Sequence, residues 1–261
     1  MEPLINSATL RRAKAMLATW QLALAIGALL LAVLLWLRKA SAGLHRTTTA
    51  TARPRGGAAF NPDAETVRLY SESLGITPAD AERMLSELAS SQPSQIEERF
   101  LLGNASCAAD RDELRAARVA YIVNASSDLP NHYVGDGIEY LRVPVEDSLE
   151  ADLLSRLDRA VDFLARPLSD PYACGSVLVH CRQGVSRSAT IVLAYLMRER
   201  GHSLRSALTH VQQRRFIKPN DAFLRQLTDY EAQVQKRSTL AGSRASSTAR
   251  STARVSRAAE T

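Results

Sequence analysis

His180-Cys181-Arg182-Gln183-Gly184-Val185-Ser186-Arg187-Ser188 places a nucleophile, a glycine-containing turn and a fixed cation within nine residues. The apolar run Val177-Leu178-Val179 before it has the length of one buried strand. Ala189 to Arg200 after it carries a helical pattern without Gly or Pro. A loop pinned between a strand and a helix N-terminus turns successive backbone N–H groups towards one point, and the helix dipole adds partial positive charge there. Such a loop is an anion site, and a cysteine within it is favoured as thiolate. Arg187, six residues on, offers a planar fork matched to two oxygens of a phosphoryl group. A lone cysteine ending a buried strand is ordinarily a small core hydrophobe. Cys181 and Arg187 at this spacing, with His180 before and Ser188 after, form a far more specific constellation. The expectation is a cysteine-dependent loop for phosphoryl chemistry.

The loop resembles the signature of the protein tyrosine phosphatase superfamily, and its neighbours resemble the small, atypical dual-specificity branch. The resemblance runs from about Ile96 to Val234. Ile96-Glu97-Glu98-Arg99-Phe100-Leu101-Leu102-Gly103-Asn104-Ala105 is similar to the opening strand and turn, and Tyr121-Ile122-Val123-Asn124-Ala125-Ser126 to a central strand. Tyr140-Leu141-Arg142-Val143-Pro144-Val145-Glu146-Asp147-Ser148 resembles the strand and loop that deliver a general acid. Ile217 to Leu227 resembles the entry to the final helix. The resemblance implies that Cys181 attacks phosphorus. The N–H groups of Arg182, Gln183, Gly184, Val185, Ser186 and Arg187 would hold the non-bridging oxygens, with two further contacts from the Arg187 side chain. Asp147 would protonate the leaving oxygen, and Ser188 would hydrogen-bond the sulfur.

Chemistry asks for the same division of labour. An alkoxide or phenolate leaves poorly unless protonated, and such proton transfer contributes ~10²–10⁴-fold. A covalent intermediate requires a nucleophile ionised at neutral pH. Glu146, beside Asp147, is the fallback acid, and Asp136, Asp152 and Asp158 lie nearby in sequence. Asn220, after Pro219, is expected to cap the last helix.

The net charge of +6 is unevenly spread: +7 in residues 1–59 and +4 in 237–261, leaving −5 for 60–236. The basic ends fit a membrane surface or an address, and no nucleic-acid-binding domain is expected. Three cysteines, Cys107, Cys174 and Cys181, make no disulfide framework and fit a reducing compartment. A redox pairing of Cys174 with Cys181 is rejected, because the intervening strand holds them at opposite ends. The histidines show no metal-ligand spacing and no dinucleotide or P-loop glycine pattern occurs, so neither metal nor cofactor is expected.

Residues 1–14 form a basic segment. Residues 15–37 carry no charge, with Trp20 and Trp36 near the ends. As a helix they would cover about 34 Å, enough to cross a hydrocarbon core of about 30 Å, with the tryptophans in interfacial belts. A transmembrane helix is therefore expected there. Ala40-Ser41-Ala42 could serve as a cleavage site, but Arg38-Lys39 after so long an apolar run favour an anchor. Residues 38–59 read as a flexible basic linker and 60–92 as a helical extension in which Thr77 caps a helix with Pro78 at its first position. This helical pair would either pack on the catalytic domain or serve recognition. The catalytic domain is placed at 93–236, and the Ser/Thr/Arg/Ala tail 237–261 is expected to be disordered. The Asn104 and Asn124 sequons fall in segments expected to be buried and are read as chance.

Helical patterns at 150–165, 203–215 and 221–236 alternate with the strands. The expected fold is α/β, a central largely parallel sheet flanked by helices in the manner of cysteine-dependent phosphatases, preceded by the transmembrane helix. The expected activity is dual-specificity hydrolysis of phosphotyrosine and phosphoserine/threonine in proteins, since no long insertion deepens the cleft. A membrane-associated lipid phosphatase, acting on phosphoinositides or a phosphatidylglycerophosphate-type substrate, is the alternative enzyme, although the loop carries no lysine. A pseudophosphatase that binds phosphoprotein without turnover is the alternative class. Partners would be phosphorylated proteins and, through the N-terminal helix, a membrane. The placement expected is single-pass with a cytosolic catalytic domain, because five basic residues follow the span against three before it. A mitochondrial membrane is the other address, suggested by the acid-poor, Arg- and Thr-bearing N-terminus.

Overall fold

A computed structural model describes residues 61–258 of the chain. The segments expected at 1–14, 15–37 and 38–59 lie outside the described residues, the membrane span among them. No helix among the described residues is long and apolar enough to cross a membrane.

Two helices open the described chain, α1 (Ala64–Leu74) and α2 (Pro78–Ala89). Thr77 caps α2 by accepting a hydrogen bond from the Asp80 N–H, with Pro78 at the first helical position, where its missing N–H costs nothing. Strands β1 (Ser94–Glu97) and β2 (Phe100–Gly103) follow, then the short helices α3 (Ala105–Ala109) and α4 (Arg111–Ala116). Next come β3 (Val119–Asn124), β4 (Glu139–Arg142), α5 (Leu154–Ser169) and β5 (Ser176–His180). The chain ends in α6 (Arg187–Glu199), α7 (Leu204–Gln212) and α8 (Asp221–Ala258).

The strands form one sheet in the order β1-β2-β5-β3-β4, parallel from β2 to β4, with β1 antiparallel at the edge. The central strand β5 alternates its side chains between two layers. Val177 and Val179 face a large core with Leu157, Leu164 and Tyr195, whereas Leu178 faces a smaller one with Leu101, Ile122 and Leu114. Burial on both faces explains why its sequence is continuously apolar. Helix α6 is buried over almost its whole length, so the loop before it is held by a rigid element on each side.

Register brings the loops together. Gly103, His180, Asn124 and Arg142 pair in one row across four parallel strands. Everything that follows these residues therefore gathers at the C-terminal edge of the sheet, the usual ligand edge of an open parallel sheet.

The tail departs from expectation. Helix α8 continues through 237 to Ala258, where a disordered segment is expected. The stretch lacks apolar periodicity, but after Gly242 it contains neither Gly nor Pro and is rich in Ala and Arg, the strongest helix formers. Among the described residues the other sequence-predicted strands and helices are present, and α3 and α4, too short to show a period, are additions.

Candidate active site

The loop 181–186 joins β5 to α6, and its carbonyls explain its shape. The Arg182 carbonyl accepts the Ala105 N–H at 3.1 Å, and that of Val185 accepts the Lys218 N–H at 3.0 Å. The Arg215 guanidinium donates to the Gln183 carbonyl at 3.2 Å and to the Gly184 carbonyl at 3.0 Å. Ser186 O accepts both the backbone N–H and the hydroxyl of Thr190, each at 2.9 Å. Five successive carbonyls are thus turned to partners outside the loop, which directs the N–H groups to its concave side and makes an anion nest. Gly184 has φ +73, and a Cβ there would lie 2.5 Å from the Gly103 carbonyl oxygen. Only glycine permits this turn against the neighbouring strand end.

Cys181 is buried at the base of the nest. Its sulfur accepts the Gly184 N–H and the Ser188 hydroxyl, each at 3.2 Å. Arg187 has only 8% of its side chain exposed. One terminal nitrogen donates to the Val145 carbonyl at 3.3 Å, while Nε sits 3.5 Å from Asp147 in a geometry that makes no hydrogen bond. The guanidinium is therefore oriented but keeps donors for a phosphoryl group.

Asp147 arrives from the loop after β4 and is anchored at the nest. Its Oδ1 accepts the Ser186 hydroxyl at 2.8 Å and the Asn220 amide at 2.9 Å. Asn220 also donates to the Ser148 carbonyl and accepts the Phe223 N–H, so it caps α8 and orients the carboxyl in one stroke. The neighbouring Glu146 turns away and accepts the Ser127 hydroxyl. Asp136 pairs with Arg111, Asp152 accepts the Ser155 N–H in the first turn of α5, and Asp158 is engaged by Arg237, Tyr230 and Arg198. Among the carboxylates considered from sequence, only Asp147 touches the phosphate loop.

His180, directly before Cys181, is buried with neither ring nitrogen hydrogen-bonded among the described residues. Burial pushes its pKa from 6.5 down to about 4, and His132 and Arg142 add to the drop while the Cys181 backbone opposes it. The imidazole is neutral at physiological pH. All three cysteines are free; Cys174 is exposed before the start of β5 and Cys181 buried beyond its end. Both sequon asparagines are buried, Asn104 donating to carbonyls at the end of α2 and Asn124 to Leu129, Pro130 and Asn131. No cluster of metal-ligating side chains occurs among the described residues.

Two site elements escape the sequence reading. Arg215 lies 34 residues beyond Cys181, and no local pattern marks it as the holder of two loop carbonyls. Glu87, on α2, sits beside it. Both depend on long-range approach rather than on spacing.

An anion nest between a central strand and a buried helix, with a cysteine at its base and an anchored carboxyl beside it, is the arrangement of a cysteine-dependent phosphatase fold. Comparison with known proteins agrees. The family model "Dual specificity phosphatase, catalytic domain" matches residues 100–233. Dual specificity protein phosphatase 4 of Gallus gallus is 44% identical over 143 residues, which cover 54% of this chain and 37% of that relative. A structure of human DUSP28 superposes with a TM-score of 0.51 at 35% identity, covering 55% of this chain and 95% of the other. A mouse protein described as a dual specificity phosphatase, complexed with zinc tungstate, gives 0.54 at 36% identity over 58% and 94% of the two chains. The chain belongs to the dual specificity phosphatase catalytic-domain family. The stretch it shares with the curated relatives amounts to little more than a third of their length.

Proposed function

We propose that the protein is a dual-specificity protein phosphatase acting through a cysteinyl-phosphate intermediate. The observation that carries this reading is the nest itself: five carbonyls turned outward, the Cys181 sulfur at its base, and Asp147 held at its rim by Ser186 and Asn220. The Cys181 thiolate attacks phosphorus and forms the S–P bond as the P–O bond to the leaving group breaks. Asp147 delivers its proton to the departing oxygen. Arg187 and the loop N–H groups from Arg182 to Arg187 hold the three non-bridging oxygens, whose charge they meet without reorganising. Water then attacks phosphorus, gives its proton to the Asp147 carboxylate, and releases phosphate as the thiolate departs. Ser188 donates to the sulfur and favours that departure. The tungstate complex of the mouse protein supports an oxyanion site in this fold.

Phosphorylated proteins are the substrates that the family implies, and the absence of lysine in the loop speaks against inositol lipids. The intact set Cys181, Arg187 and Asp147 speaks against a pseudophosphatase. The reading extends to a catalytic unit at 93–236 held by a single-pass anchor at 15–37, with the catalytic domain in the cytosol and a mitochondrial membrane as the alternative address. The 23 uncharged residues and their basic flanks support this extension. The deciding experiment is hydrolysis of a matched panel of phosphotyrosyl and phosphothreonyl peptides and phosphoinositides by the wild type and by Cys181→Ser. Peptide turnover that vanishes in Cys181→Ser, with phosphopeptide binding retained, is expected. Turnover by the variant near the wild-type rate would falsify the nucleophile assignment, and a preference for phosphoinositides would move the protein to the lipid class.

A further inference from the structure

Resting on that reading, we propose that Glu87 is a positioning residue of the phosphate loop, acting through Arg215, so that helix α2 carries part of the catalytic scaffold. Arg215 is 1% exposed, and its three hydrogen-bond acceptors are neutral: the carbonyls of Gln183 and Gly184 and the Ser94 hydroxyl. A buried guanidinium requires a counter-charge. Among the described residues the only carboxylate within 4.0 Å is Glu87, whose Oε2 lies 3.9 Å from Arg215 Nε. Glu87 is itself mostly buried, and both of its oxygens accept the Phe216 N–H, at 3.1 and 3.0 Å. Its Oε1 is also met by Arg83 Nε at 3.0 Å, and Arg83 donates to the Gln212 carbonyl.

Glu87 thus holds the start of the strap Arg215-Phe216-Ile217-Lys218 at two consecutive residues. That strap in turn holds three consecutive loop carbonyls, Gln183 and Gly184 through Arg215 and Val185 through the Lys218 N–H. The side chains follow the same line, with Met84 of α2, Phe216 and Val185 packed in one apolar cluster. On the other flank the Asn104 amide donates to the carbonyls of Glu87, Leu88 and Ser90, while the next N–H, that of Ala105, holds the Arg182 carbonyl. The end of α2 is therefore tied to both supports of the nest. Packing alone would require the apolar cluster but not a carboxylate placed where burial disfavours its charge.

Without the Glu87 charge, Arg215 is an uncompensated buried cation and loses its fixed place behind the loop. The Gln183 and Gly184 carbonyls are then free to rotate, and the opposing N–H groups no longer converge before substrate arrives. The expected loss is about tenfold in phosphate affinity and in kcat/KM, below the ~10²–10³ that follows deletion of an oxyanion donor itself.

The test uses the full chain and two readings: the inorganic phosphate concentration that half-protects Cys181 from iodoacetate, and hydrolysis of an aryl phosphate whose leaving group needs no proton. Glu87→Gln should raise the half-protection concentration and lower aryl phosphate kcat/KM, each about tenfold. The ratio of aryl phosphate to phosphopeptide rates should stay unchanged, because Asp147 is not involved. Glu87→Asp, which keeps the charge and the fold but draws it back by one methylene, should show the same change at about threefold. Arg237→Ala, which removes an ion pair to Asp158 and touches neither α2 nor the loop, serves as the stability control and should move melting temperature alone. Unchanged half-protection in Glu87→Gln or, if that variant does not fold, in Glu87→Asp overturns the proposal while leaving the phosphatase reading intact. A wild type that phosphate does not protect and that leaves the aryl phosphate untouched overturns both.

Discussion

Lowering the pH protonates His180 at a cost that the structure sets. The ring is buried at the end of the central strand, without a hydrogen-bond partner among the described residues, and its pKa falls from 6.5 to about 4. The folded protein therefore favours the neutral imidazole. Its contribution to stability is fully present above pH 6.5 and is lost as the pH falls towards 4, because the unfolded chain binds the proton first. The drop from 6.5 to about 4, at 1.36 kcal/mol per pH unit, corresponds to roughly 3 kcal/mol. For a domain of this size that lowers the melting temperature by roughly 6–12 °C. Glu87 titrates with the opposite sign, since burial raises its pKa and the fold then gains by binding its proton. Asp158, held down to about 2 chiefly by Arg237, titrates with the same sign as the histidine, so the total slope is not the histidine's alone and a variant is required. Chemical unfolding of wild type and His180→Phe at intervals between pH 7 and pH 4 isolates it. The wild type should lose about 3 kcal/mol more than the variant across that range. Parallel curves would refute the argument that desolvation controls this ring.

Asp147→Ala should lower kcat on phosphopeptides by about 10²-fold or more, but far less on an aryl phosphate with a good leaving group; equal losses on both would reduce Asp147 to a positional role and direct the same comparison to Glu146→Ala. Gly184→Ala combines φ +73 with a Cβ 2.5 Å from a backbone oxygen, so calorimetry should find at least about 2 kcal/mol of lost stability together with loss of phosphate binding. Mild oxidation should inactivate the protein at Cys181, reversibly by thiol, and mass-spectrometric labelling that finds Cys174 or Cys107 more reactive would count against the nest electrostatics. Deleting residues 1–40 should release an active, soluble protein, and protease added to intact organelles should remove the catalytic domain; its full protection, or glycans at Asn104 or Asn124, would reverse the proposed orientation.

By itself the sequence determined what is local. Nine contiguous residues carry Cys181, the glycine turn and Arg187, because an anion nest is built from successive backbone groups and its signature cannot be dispersed. Helix boundaries such as Thr77-Pro78 and Asn220 were equally legible, since a cap and the N–H it satisfies lie within three residues. The parallel sheet followed from apolar runs alternating with helical periods. The continuation of α8 over 237–258 was not legible, because absence of an apolar stripe says nothing against a helix of good intrinsic formers.

Tertiary structure decided what depends on approach across the chain. Ser186 and Asn220 reach Asp147 and not Glu146, because adjacent residues of a loop point in different directions whatever their order. The outward hold on the Gln183 and Gly184 carbonyls comes from Arg215, and the charge that balances Arg215 comes from Glu87, 128 residues earlier. A buried cation and its counter-charge carry no spacing rule, because only the packed interior, where water cannot screen them, makes one necessary to the other.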